Sequence, residues 1–235
     1  MSNPAPITLE QLFRFNRGLP HQLAAISQLE QALLSGKSYA EVMRRDTEWF
    51  QVWSQDGKQQ NHANPLPVAY EYQNDNASGT GYRECFSSSC AMIARFYGKV
   101  RNDDEYNKIR ARYGDSTDAS AQVRALTSLG LQPRFVTNAT PDLLEREINA
   151  GRPVAAGWLH KGPASRPTGG GHYSVVIGYN SEAFIHNDPN GEADLVNGGY
   201  ANHSKGKGVA YSRKNWLPRW QVEGLGSGWA LLVMP

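Results

Sequence analysis

Cysteine is scarce in this chain: there are two, Cys85 and Cys90, among 235 residues. Two thiols give no disulfide framework. Five places apart on one helix, their Cα atoms would stand roughly 8 Å apart, too far for a bond between them. Net charge is also slight, +2 from 24 Lys and Arg against 22 Asp and Glu, which makes no case for a nucleic-acid partner. No apolar run is long enough to span a bilayer. The opening residues 1–6 lack the basic and apolar stretches of a secretory signal, so synthesis in the cytoplasm is expected, with release by another route such as lysis left open. No internal repeat is visible. The length suits one large domain, or one domain with a helical appendage, and a monomer without cofactor is expected.

What is present is organised around residues 82–98. Cys90, Ile93, Ala94 and Tyr97 recur at helical spacing and form one apolar face. Gly98 suits the left-handed residue just past a helix end. Cys85 lies off that face, at the start of the helix, where free N–H groups and the positive end of the dipole favour a thiolate. Cys90 reads as a small core residue. On the helix alone, a reactive Cys85 and an inert half-buried one are equally good readings.

The remainder divides into a helical N-terminal region, residues 1–60, and a main domain, residues 61–235. In the first, Thr8 with Gln11 and Ser38 with Glu41 form capping boxes, and Pro20 suits a first helical position. Leu23, Ile26, Leu29 and Leu33 make an apolar stripe closed by Gly36. Val42, Met43, Trp49, Phe50 and Trp53 make a second buried face. Residues 54–67 read as a linker. In the main domain, residues 66–72 suggest a short strand, followed by a polar loop into the cysteine helix. Further helices are expected from Asp118 to Gly130 and from Thr140 to Gly151, with a strand at 132–137 between them. Strand-like runs then follow at 154–159, 172–179, 183–187 and 229–234. Helices first and a mostly antiparallel sheet after them indicate an α+β domain.

Three more positions give Cys85 a context. His172 opens the strand 172–179, and a turn centred at Asn180 and Ser181 returns the chain to Asp188. Antiparallel register then sets Asp188 opposite or diagonal to His172, close enough for a carboxylate to orient an imidazole. A Cys/His pair needs this arrangement: one ring nitrogen faces the thiol while an acceptor fixes the other. The Cys85 N–H would stabilise an oxyanion, and Gln73 is the candidate for a second donor. His186, two residues before Asp188, is the reserve base. Residues 188–194 alternate oxygen ligands, but the misplaced glycine and missing terminal Glu argue for a turn rather than a calcium loop, so no metal is expected. Trp216, Trp220 and Trp229 read as core or cleft wall.

Residues 85–98, with small residues after the cysteine, an Ala-Met pair and a Tyr-Gly end, resemble the nucleophile helix of the bacteriocin-leader-processing (double-glycine) peptidases, in the papain-like superfamily. Residues 171–179 resemble that family's histidine strand, and 187–189 its Asn-Asp-Pro segment. The resemblance covers about residues 66–234. It implies a papain-like α+β fold, Cys85 as nucleophile, His172 as base, Asp188 as orienting residue and Gln73 as oxyanion donor. Phe86 stands where the family usually has glycine, which predicts a narrowed approach to the thiol, and Gln73 lies farther from the cysteine than is usual. Residues 18–26 and 157–163 are similar to parts of phage-encoded lytic proteins, which implies an endolysin acting on peptidoglycan peptides. The chain shows neither a transporter segment nor a nucleotide-binding glycine motif, so a peptidase fused to an exporter is not expected. A leader-processing peptidase and an inactive peptidase-fold binding module are the alternatives.

Overall fold

The computed structural model describes residues 8, 9, 12, 20–44, 46–53 and 64–235. The chain divides into two compact units, Met1–Asn61 and His62–Pro235. The expected Thr8–Gln11 capping box, the linker over 54–63 and the start of the 18–26 segment fall on positions outside the described residues.

The first unit is helical where described: α1 (Pro20–Leu34), α2 (Tyr39–Val42) and α3 (Glu48–Trp53). Ser38 caps α2 through the reciprocal pair with Glu41, as the Ser-x-x-Glu spacing predicts. Gly36 takes a positive φ of 80° beyond the end of α1. Leu29, Val42, Met43, Trp49, Phe50 and Trp53 are buried together, and the Trp49 indole N–H donates to Val42 O at 2.6 Å.

The second unit packs five helices on a six-stranded antiparallel sheet. The helices are α4 (Cys85–Phe96), α5 (Asp103–Arg110), α6 (Ala119–Ser128), α7 (Pro141–Asn149) and α8 (Arg213–Trp220). The strands are β1 (Gln132–Ala139), β2 (Val154–Lys161), β3 (Thr168–Tyr179), β4 (Ala183–Asn187), β7 (Val209–Ser212) and β8 (Gly228–Met234). They lie in the order β1-β8-β2-β3-β4-β7, while β5 (Glu192–Ala193) and β6 (Tyr200–Asn202) form a separate small hairpin. The class is α+β, with the helices that precede the sheet and the antiparallel pairing both as expected. Caps follow the sequence: Asp118 accepts from Ser120 N, and Thr140 accepts from Leu143 N ahead of Pro141.

Two readings are corrected. Residues 66–72 do not form a strand; the Leu66 N–H donates to Ile177 O, but the Val68 N–H then turns back to Leu66 O instead of continuing a ladder. Helix α4 is not amphipathic in the simple sense, because every residue from Phe86 to Ala94 is buried. It is packed by α5, α6, β2 and β3 at once, so its three serines need partners within the protein. Ser87 accepts from Gln122 Nε2 at 3.0 Å and Ser88 donates to Asp103 at 3.1 Å, while the buried Ser89 Oγ has no hydrogen-bond partner among the described residues. Helices α5 and α8 and strands β5 to β7 were not anticipated. Among the described residues, no helix is long and apolar enough to cross a membrane.

Candidate active site

Cys85 is the first residue of α4 and is partly exposed, whereas Cys90 is fully buried. Burial pushes the Cys90 thiol well above its ordinary pKa, so that sulfur stays protonated. Glu84 occupies the N-cap position of α4 without a side-chain cap hydrogen bond, leaving the first N–H groups of the helix uncapped by that residue. Its carboxylate turns instead into the preceding loop. There it accepts from Asn76 Nδ2 at 2.6 Å, Ser78 Oγ at 2.9 Å and Thr80 Oγ1 at 2.8 Å. This network, 1% exposed at Glu84, ties residues 76–84 to the start of the helix. It was not foreseen, although the run of Asn, Ser and Thr ahead of a Glu beside the cysteine was a usable signal.

His172 enters from β3, where it pairs with Trp158 of β2. Its Nε2 lies 2.8 Å from Asp188 Oδ1. The sequence hairpin is right in outcome but differs in register. Tyr179 pairs with Phe184, so the turn is centred one residue later than expected, at Ser181 and Glu182. An unbroken ladder from there would set position 188 opposite Val175, whose side chain faces away from that of His172. Val176 pairs with His186 but Gly178 with Ile185, so β3 carries one extra residue, a bulge. The bulge moves 188 opposite Ser174, on the face of His172 and diagonal to it.

Asp188 is fully buried and its carboxylate is well supplied with donors. Besides His172, Oδ1 accepts from Asn190 N at 3.0 Å, and Oδ2 accepts from Tyr211 O–H at 2.8 Å. Its backbone is held equally firmly: Tyr70 O–H donates to Asp188 O at 3.0 Å, and Asp188 N donates to Gly206 O at 2.8 Å. A Cβ at Gly206 would stand 1.9 Å from Asp188 O, so only glycine fits there. Cys85 is close enough to the His172 ring to act on its titration, and with Nε2 held by Asp188, Nδ1 is the nitrogen left to face the thiol. Burial of His172 disfavours its charged form, yet the charges and hydrogen bonds of Asp188 and Cys85 outweigh that and raise its pKa to about 10.

The reserve base is excluded by its surroundings. His186 is buried against Trp216 and Tyr211, with ring centroids at 4.6 and 4.9 Å, and its Nδ1 bonds Ser174 Oγ at 2.9 Å. Desolvation, and then the nearby His172, lower its pKa to about 3, so it stays neutral. Gln73 is 2% exposed; its N–H donates to Pro189 O at 2.9 Å and its Nε2 to Gly81 O at 2.8 Å. The structure thus brings Gln73 beside the Asp188 loop, with one of its two amide hydrogens engaged. Phe86 does not narrow the approach to the thiol. It is 1% exposed and stacks on Tyr173 with centroids 3.6 Å apart, as part of the core.

The sequence reading missed the aromatic ring around the imidazole. Trp158 meets His172 edge-on at 5.2 Å, Tyr200 lies at 5.6 Å and His160 at 5.7 Å. The Trp158 indole is fixed by Ser174 Oγ at 2.9 Å. Asp194, once weighed as a calcium ligand, caps a turn by accepting from Val196 N and Asn197 N at 2.9 Å each. Among the described residues no group of three or more His, Cys, Asp or Glu side chains is disposed to hold a metal ion.

Residues 65–216, well over half the chain, match the Peptidase_C39 like family. The chain belongs to this family. It is a cysteine peptidase, and its α+β core is the fold of that family. Solved structures similar to the peptidase include the following three. A C39-like peptidase from Bacillus anthracis shares 16% identity over 72% of this chain and 95% of that one, with a TM-score of 0.51. The peptidase domain of Streptococcus ComA, a bi-functional ABC transporter involved in a quorum-sensing pathway, shares 19% over 72% and 98%, with a TM-score of 0.47. A double-glycine-motif protease from an AMS/PCAT transporter, in complex with a leader peptide, shares 17% over 73% and 94%, with a TM-score of 0.46. Such low identities speak to the fold of the peptidase alone. No curated protein matches it significantly.

Proposed function

We propose that Cys85, His172 and Asp188 are the catalytic groups of this peptidase, with Gln73 as an oxyanion donor, and that residues 61–235 form the catalytic domain. The observation that carries this reading is the placement of one imidazole between a helix-start thiol and a buried carboxylate. His172 Nδ1 takes the Cys85 proton, and the thiolate attacks the carbonyl carbon of the scissile peptide. The carbonyl π electrons move to oxygen, where the Cys85 N–H and Gln73 Nε2 stabilise the charge. The C–N bond then breaks as His172 delivers its proton to the leaving amine, and a thioester remains. Water attacks the thioester while His172 removes its proton. The C–S bond breaks, releasing the carboxylic acid and restoring the thiol. Asp188 keeps the ring in the tautomer and orientation that both proton transfers need.

The substrate we propose is the peptide portion of bacterial peptidoglycan, cut by an endolysin of phage origin that acts as a monomer. Two segments that are similar to phage lytic proteins, 18–26 and 157–163, support this. The second of them runs along β2 and supplies Trp158, the cross-strand neighbour of His172. The test is incubation of purified cell walls with the wild type and with Cys85→Ala, followed by mass spectrometry of released fragments and assay of new amines. Soluble fragments with new N-terminal amines are expected from the wild type alone. Walls left intact by an enzyme that cleaves a Gly-Gly leader peptide would move the substrate to leader peptides.

A further inference from the structure

The glycines around His172 are of two kinds. Gly157 and Gly169 are required by the fold: a Cβ at 157 would stand 2.7 Å from the Tyr173 ring, and Gly169 has a φ of +97°, which favours glycine. Gly170 and Gly171 have neither reason. Their φ angles are not positive, a Cβ at either position meets nothing within 4 Å, and both are exposed. Both nevertheless lie in β3, where glycine weakens a strand and commonly marks close approach by a ligand or a second backbone. Gly171 is the residue next to the base. It also borders a cavity of about 360 Å³ that is walled by Tyr173, Trp220, Val222 and Trp229.

We infer that Gly170 and Gly171 are specificity-determining positions, which let the main chain of an extended peptide substrate lie against β3 beside His172 and direct an apolar side chain into the cavity. This rests on the catalytic reading above. A side chain at 171 fills the space the substrate needs without disturbing its own neighbours, so the expected defect is one of access.

The experiment compares two reagents on the full chain: iodoacetamide, which is small, and acetyl-Phe-Gly chloromethyl ketone, which must occupy the groove. Both alkylate the Cys85 sulfur with loss of halide, and intact-protein mass follows each rate. In Gly171→Val the ratio of the peptidyl ketone rate to the iodoacetamide rate should fall at least fivefold below that of the wild type. A smaller fall overturns the inference. If that variant does not fold, Gly170→Val is read by the same ratio and the same threshold. A wild-type Cys85 that reacts with neither reagent would overturn the catalytic reading, and the inference with it.

Discussion

Replacing Asp188 by Asn separates the charge of this residue from its shape. The Asn oxygen keeps the place of Oδ1, where it accepts from His172 Nε2 and Asn190 N, at 2.8 and 3.0 Å in the wild type. Its amide nitrogen takes the place of Oδ2 and faces Tyr211 O–H. That hydroxyl then accepts from the amide and re-aims its proton at Gly191 O, already 3.3 Å away. The buried hydrogen bonds therefore survive, and what disappears is the negative charge beside the imidazole. An opposite charge at such range shifts a titration by about one to three pH units, at about 1.4 kcal/mol each. The His172 pKa, about 10 in the wild type with Asp188 and Cys85 as the causes that outweigh burial, should fall by that amount. Assayed as kcat/KM against pH, the alkaline limb should move down by about one to three units, so that activity above about pH 10 drops about tenfold to a thousandfold while the loss shrinks toward neutrality. Stability follows the same sign. A raised pKa means that the folded protein holds a proton the unfolded chain gives up above about 6.5. The resulting stabilisation is complete below that pH and is lost as pH rises through about 10. The unfolding temperature of the wild type should decline over that interval, and that of Asp188→Asn should do so less. An alkaline limb that stays in place while activity falls equally at every pH would refute an electrostatic role for Asp188.

Other outcomes follow from the same geometry. Cys90→Ala should keep peptidase activity and lose about 1–2 kcal/mol of stability, read by urea unfolding, because it leaves a small void in a fully buried place. Gln73→Ala should lower kcat by about 10²–10³ with little change in KM if its amide is an oxyanion donor; a change confined to unfolding temperature would make Gln73 a loop tie. Arg219 is fully buried, and its guanidinium donates to the carbonyls of Leu159, Lys161, Gly162 and Leu195. Arg219→Met strands several of these acceptors and should cost about 3 kcal/mol or more, roughly 6–12 °C in Tm by thermal unfolding. His186 stays neutral down to about pH 3 through desolvation, and then His172, whereas the unfolded chain protonates it near 6.5. Stability should therefore fall by about 1.4 kcal/mol per pH unit between those values, and His186→Gln should flatten that acid limb in denaturant titrations.

The sequence by itself determined the features that depend on near neighbours. Apolar spacing and Gly98 set the extent of the cysteine helix; Ser38, Asp118 and Thr140 set helix starts; strand-like runs separated by glycine, asparagine and proline set the central strands. Each is a local preference that adjacent residues satisfy among themselves, and that is why the α+β class, the separation of Cys85 from Cys90 and the pairing of His172 with Asp188 were legible. The tertiary structure decided what depends on distant contacts. Phe86 looked like an obstacle to the thiol because it stands where the resembling family usually has glycine, but Tyr173, which holds it in the core, comes from β3. His186 was the reserve for His172 as base; burial against Trp216 disarms it, while Asp188 holds His172 at 2.8 Å. The bulge that turns position 188 toward the base lies between Val176 and Gly178; the glycine is its one local mark, but which register results depends on the partner strand β4, not on near neighbours. The aromatic side chains around His172 likewise come from separate segments, Trp158 and His160 from β2 and Tyr200 from β6, and only the folded chain brings them together.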